Sequence, residues 1–115
     1  MALTVQELIQ EHYGTDNIFT LRNPEGIVTA STTAAQIVKN NPNRVAMIVV
    51  NLSDVPIYLN NSSTVSSTNG FRISSNGGSF FIEWRLDGAQ PSREWWVVSS
   101  SGSGKSIFTD AYLTQ

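Results

Sequence analysis

Residues Arg44 to Leu52, RVAMIVVNL, constrain the fold more than any other part of the chain. The run is far shorter than the ~20 apolar residues that cross a bilayer. Val45, Ile48, Val49 and Val50 favour a strand over a buried helix, because β-branched side chains fit a pleated surface. Apolar residues occupy both parities of the run, so the strand is expected to be covered on both faces. Asn51-Leu52-Ser53-Asp54 then interrupts it, the chain restarts as Val55-Pro56-Ile57-Tyr58-Leu59, and a Ser/Thr/Asn loop closes at Asn69-Gly70. This layout predicts a buried hairpin from Arg44 to Leu59 that presents the loop Asn60 to Gly70.

The rest of the sequence is punctuated in the same way. Ile18 to Leu21 and Gly26 to Ala30 read as short strands separated by the turn cluster Asn23-Pro24-Glu25-Gly26. Ala34 to Lys39 is another strand, stopped by Asn40-Asn41-Pro42-Asn43. Phe71 to Ile73 reads as an edge. Ser79 to Leu86 alternates, with Phe80, Ile82 and Trp84 on one face and Phe81, Glu83 and Arg85 on the other. Trp95 to Ser99 and Ser106 to Leu113 complete the set, with a hairpin loop expected over Ser99 to Gly104. Asn69-Gly70 and Asn76-Gly77 are expected to be tight turns. Strands recurring about every ten residues between turn signals indicate a sandwich or small barrel.

The N-terminus is different. Leu3 to Tyr13 reads as one short helix: Thr4 is an N-cap, Glu7 completes a capping box, Leu3 and Leu8 form a hydrophobic staple, and Gly14 is a stop. Val5, Leu8, Ile9 and His12 share a face. A helix of about ten residues is marginal alone and must dock on its own sheet or on a partner. Glu7 and Glu11 lie in it, leaving seven acidic and seven basic residues elsewhere, so this segment carries the whole net charge of −2. The expected architecture is therefore all-β: an antiparallel, jelly-roll-like β-sandwich over residues 31–115, preceded by a short α-helix and an extended arm within residues 1–30.

Composition limits the function. With 115 residues the chain is one domain with room for one core. Charged residues make up only 14%, against about a quarter in ordinary globular proteins, while Ser, Thr and Asn are abundant. Such a surface suits packing against other protein. The small negative net charge supplies no basic patch for nucleic acid and no polybasic run for an anionic membrane. The absence of cysteine removes disulfides, thiolate catalysis and cysteine-based zinc sites. No secretory signal is readable at the N-terminus.

Candidate chemistry fails residue by residue. Gly102-Ser103-Gly104-Lys105-Ser106 matches the tail of a phosphate-binding loop, but the required earlier glycine is Ser99, and Ile107-Phe108-Thr109 reads as strand where a helix is needed. His12 is the single histidine, which makes neither a zinc set nor a triad. Glu83, Asp87, Glu94 and Asp110 could be imagined as a glycosidase-type carboxylate pair, but surface ion pairs with Arg85 and Arg93 account for them more simply. The sequon matches at Asn51, Asn60 and Asn61 are expected by chance in so Asn/Ser-rich a chain. Trp95 and Trp96 are consecutive and must point to opposite faces of a strand, so one is core and the other lies at an interface or on a sugar-binding platform. No catalytic residue, metal site or cofactor is expected, and the chain does not read as an enzyme.

The arrangement from Arg44 to Gly78 resembles small virion proteins of tailed bacteriophages: an Arg-led apolar strand, Asn51-Leu52-Ser53, Pro56-Ile57-Tyr58-Leu59, a Ser/Thr loop into Asn69-Gly70-Phe71-Arg72-Ile73, and a Gly-rich turn. These are head-decoration, head-fibre or tail-associated β-sandwich proteins. The resemblance implies a structural component without a cofactor, commonly oligomeric, with a trimer as one arrangement. Its partners would be the major capsid protein or other virion proteins, in a particle assembled in the host cytoplasm. The expected interface residues are Val5, Leu8, Ile9, His12 and Tyr13 of the helix, Asn60 and Asn61 of the polar loop running to Thr68, and Trp96. The alternatives are a carbohydrate-binding module, with an exposed tryptophan in a shallow groove, and a tail- or baseplate-associated protein.

Overall fold

The computed structural model describes the backbone of residues 18–114 and the side chains of residues 28–113. The expected helix, with Val5, Leu8, Ile9, His12 and Tyr13, lies outside the described residues. The described chain forms eight strands: β1 (Ile18–Ala30), β2 (Ala35–Val38), β3 (Arg44–Asn51), β4 (Ile57–Asn60), β5 (Phe71–Ile73), β6 (Ser79–Glu83), β7 (Trp95–Ser99) and β8 (Lys105–Thr114). One helical turn, α1 (Trp84–Asp87), and a 3₁₀ turn over Gln90–Ser92 separate β6 from β7.

The strands pair as one long hairpin closed on itself, β1 with β8, β2 with β7, β3 with β6 and β4 with β5, all antiparallel. Rolling that ribbon adds the pairs β3 with β8 and β4 with β7. Two four-stranded sheets result, in the orders β1-β8-β3-β6 (sheet A) and β2-β7-β4-β5 (sheet B). This nested pairing is a jelly roll, so the expected all-β sandwich is the fold.

Several local expectations are corrected. Arg44 to Leu59 is not a hairpin, because β3 belongs to sheet A and β4 to sheet B and the link Leu52–Pro56 crosses between layers. The loop after Ser99 likewise joins β7 of sheet B to β8 of sheet A. The two short strands on either side of Asn23–Gly26 are one strand, β1, whose register against β8 shifts between Arg22 and Ile27. An extra stretch in one strand is absorbed as a bulge rather than ending the ladder. β6 stops at Glu83, where the Asp87 carboxylate accepts the Glu83 N–H at 3.0 Å and the chain turns into α1, ended by Gly88 at φ 64°. Trp84 and Arg85 therefore leave the strand, and Glu83 and Arg85 do not share a strand face. Asn76-Gly77 is the expected tight turn, with φ of 58° and 102°. Asn69-Gly70 has no left-handed residue; Gly70 instead passes so close to β4 that a Cβ would lie 2.9 Å from the Leu59 carbonyl oxygen.

The core forms where the inner faces meet. Met47, Val49, Ile82 and Ile107 of sheet A pack with Ile37, Ile57, Leu59, Ile73, Trp95 and Val97 of sheet B. Trp95 is the largest of the fully buried side chains. Its ring packs against Phe80 and Phe71 at centroid distances of 5.2 and 6.1 Å, and its indole N–H donates to the Gln90 carbonyl at 3.0 Å.

Two buried polar residues close the ends of β3. Arg44 donates from Nε to the Pro91 carbonyl and from Nη2 to the Lys39 and Arg93 carbonyls, at 2.6, 2.9 and 2.7 Å. Burial lowers its pKa from the ordinary guanidinium value, and its charge is met by carbonyl dipoles. At the other end, fully buried Asn51 donates to the Val55 and Ile73 carbonyls and accepts from the Ser53 N–H and hydroxyl. Both donors and both lone pairs of its amide are thereby used.

Candidate interaction surfaces

The two outer faces of the sandwich differ in chemistry. On sheet A the inward parity is taken by Met47, Val49 and Asn51, so Ile48 and Val50 point outward with their cross-strand neighbours. Ile48 stands between Phe81 and Asp110, Val50 between Ser79 and Phe108, and Ala46 between Glu83 and Tyr112. The result is an apolar stripe of Ile48, Val50, Phe81, Phe108 and Tyr112. Phe81 is 52% and Tyr112 47% exposed, while Ile48, Val50 and Phe108 are half-buried. β3 is thus apolar on both faces, as its sequence predicts, but its outer face is not sealed like its inner one. None of these five residues was expected at an interface. The signal was present, since both parities of β3 are apolar when only one is needed for the core.

On sheet B the outward row is Gln36, Trp96 and Asn60, which face one another across β2, β7 and β4. The three expected interface residues within the described chain, Asn60, Asn61 and Trp96, are therefore brought together. Trp95 is the core member of the tryptophan pair and Trp96 is half-buried on the outer face. The Gln36 amide donates to the Glu94 carboxylate at 2.6 Å, and the Asn61 amide donates to the Glu94 carbonyl at 3.0 Å. Asn60 donates to Asn69 and accepts the Asn61 N–H at 2.8 Å. Next to this cluster an open groove of about 420 Å³ is lined by Asn40, Asn61, Arg93 and Glu94. Arg44 holds the Lys39 and Arg93 carbonyls beneath it, which fixes both walls. Gln36 carried no sequence signal, and Asn40, Arg93 and Glu94 stood out only as turn or ion-pair residues, because their convergence depends on a β2–β7 register that local pattern does not encode.

The loop Asn60 to Gly70 is ordered by its own polar groups. Asn69 donates to the Thr64 carbonyl at 3.1 Å, Ser62 pairs with Thr64, and Val65 is buried as a plug beneath them. In the glycine-rich segment, Lys105 is bound to Asp54 at 2.9 Å, and Ile107 to Thr109 are strand, so no helix follows it. Among the described residues no group of three or more His, Cys, Asp or Glu side chains is placed to hold a metal ion. No described helix is long and apolar enough to cross a membrane.

No protein-family model matches the chain, and no curated protein matches it. Among solved structures it is similar to a protein of Bacillus endospore appendages, described as a novel family of disulfide-linked pili, with 13% identity over 85% of each chain and a TM-score of 0.46. At that level the likeness carries no functional argument.

Proposed function

We propose that this protein is a structural accessory component of a tailed-phage virion, a capsid-decoration protein that binds the coat lattice and its own copies. The carrying observation is the apolar outer stripe of sheet A, where Ile48, Val50, Phe81, Phe108 and Tyr112 converge on one outer sheet face. Exposed apolar surface of this kind marks protein contact surfaces. A low-charge body favours close packing, and the resemblance of the segment from Arg44 to Gly78 supplies the virion context. Binding would be driven by apolar burial at about 25 cal/mol per Å², of which only a surplus appears as affinity.

The test is co-sedimentation with coat particles that lack the protein. The unaltered protein should pellet with the particles and saturate at a fixed ratio to coat subunits. Phe81→Asp combined with Tyr112→Asp should keep the melting temperature and leave the protein in the supernatant. Equal pelleting of both forms would remove the sheet A face from the account, and failure of the unaltered protein to pellet would remove decoration itself.

A further inference from the structure

The geometry points to a saccharide-binding site on the outer face of sheet B, where Trp96, level with Gln36 and Asn60, lies two residues along the chain from Glu94 of the groove formed by Asn40, Asn61, Arg93 and Glu94. This inference does not rest on the virion reading. Three features of sugar recognition meet here. A sugar ring offers an apolar C–H face and a rim of hydroxyls, which an indole beside planar amides can match together. Trp96 supplies the ring, flanked on neighbouring strands by Gln36 and Asn60. Tyr58 continues the outward face of β4 two residues from Asn60, level with Val98 and Arg72.

The polar groups are held before any ligand arrives. Glu94 is fixed through its carboxylate by Gln36 and through its carbonyl by Asn61, and Asn60 is tied to Asn69. Preorganisation of this kind lowers the ordering cost of binding. Capacity is left over: the Asn61 carbonyl oxygen, the second Glu94 carboxylate oxygen and the Asn40 side chain take part in no hydrogen bond among the described residues, and neither does the Arg93 guanidinium. The volume of about 420 Å³ falls in the lower part of the range for small-ligand sites and is open on one side, which suits one or two rings of a longer chain.

The test is a printed glycan array probed with the tagged protein, followed by titration of the best array sugar, read by isothermal titration calorimetry. Saturable binding is expected, weakened at least tenfold by Arg93→Ala and by Asn61→Ala, and retained by Trp96→Phe. The Arg93 side chain is exposed and makes no hydrogen bond among the described residues, so its replacement should keep the melting temperature and holds the test open if a Trp96→Ala variant fails to fold. Binding should survive the Phe81→Asp/Tyr112→Asp change, which separates this site from particle attachment. An array without signal above the Arg93→Ala control, or binding indifferent to Arg93 and Asn61, overturns the site.

Discussion

Asn51→Leu tests whether one saturated amide holds the two sheets in register at the β3–β4 crossing. Asn51 is completely buried, and Leu keeps its branched shape without the polar atoms but is larger, so some overpacking accompanies the loss of four hydrogen bonds. The consequences differ by partner. The Val55 carbonyl keeps the Ser53 hydroxyl as a donor at 2.9 Å. The Ile73 carbonyl loses the Asn51 side-chain donor, and the Ser53 N–H loses its acceptor. Two buried backbone groups losing their side-chain partners cost about 1–3 kcal/mol each, so a loss of roughly 2–6 kcal/mol is expected. For a domain near 100 residues this lowers the melting temperature by roughly 15 °C. Ser53→Ala is the internal control: Asn51 retains the Ser53 N–H and Val55 retains the Asn51 amide, so roughly 1 kcal/mol is expected. Urea denaturation of the three proteins at pH 7 reads the differences. If Asn51→Leu costs no more than Ser53→Ala, the buried network is not what fastens the crossing.

The remaining expectations concern single contacts. Arg44→Met strips three carbonyls of their donor and should destabilise by about 3 kcal/mol or more, and Arg44→Lys should rescue only part of this because one ammonium cannot span the fork; thermal melts check both. Gly78→Ala drives a Cβ into the Ser74 backbone beside the Asn76-Gly77 turn, and circular dichroism should show a lowered melting temperature, whereas Gly104→Ala meets no atom and pays only the strain of φ 65°. Asp54 is held below its ordinary pKa of 3.8, first by its hydrogen bond to Lys105. A depressed folded-state pKa stabilises above the unfolded value and loses that effect as pH falls through the folded one. Because Asp54 is exposed, Asp54→Asn should melt almost with the unaltered protein at neutral pH, and any difference should shrink as pH falls from about 3.8 and vanish only below the lower folded-state value.

How far the fold was legible depends on the range of each interaction. Parity was readable wherever one face is core: Ile57 and Leu59 inward, Tyr58 and Asn60 outward, and Trp95 against Trp96 all follow from alternation. Pairing was not readable. A run such as Arg44–Leu59 with a polar break fits a hairpin as well as a crossing between sheets, and the choice is settled by β8 and β7, which lie some fifty residues away. The end of β6 turned on one carboxylate, Asp87, capturing the Glu83 N–H from just beyond the alternation that runs from Ser79 to Leu86. Of the candidate surfaces, Asn60, Asn61 and Trp96 were visible as residue types suited to contact. Arg93 and Glu94 join them only through the β2–β7 and β4–β7 registers. The sheet A stripe was visible as an excess of apolar residues, with no indication that both sides would not be buried alike.

On the proposed reading a tailed phage encodes this chain, and quantitative mass spectrometry of that phage's purified particles tests the reading most directly. The account predicts the protein in many copies per particle, at a fixed ratio to the major coat protein, and its loss from particles assembled with the Phe81→Asp/Tyr112→Asp form. Particles that are complete without the protein in any copy number would contradict it.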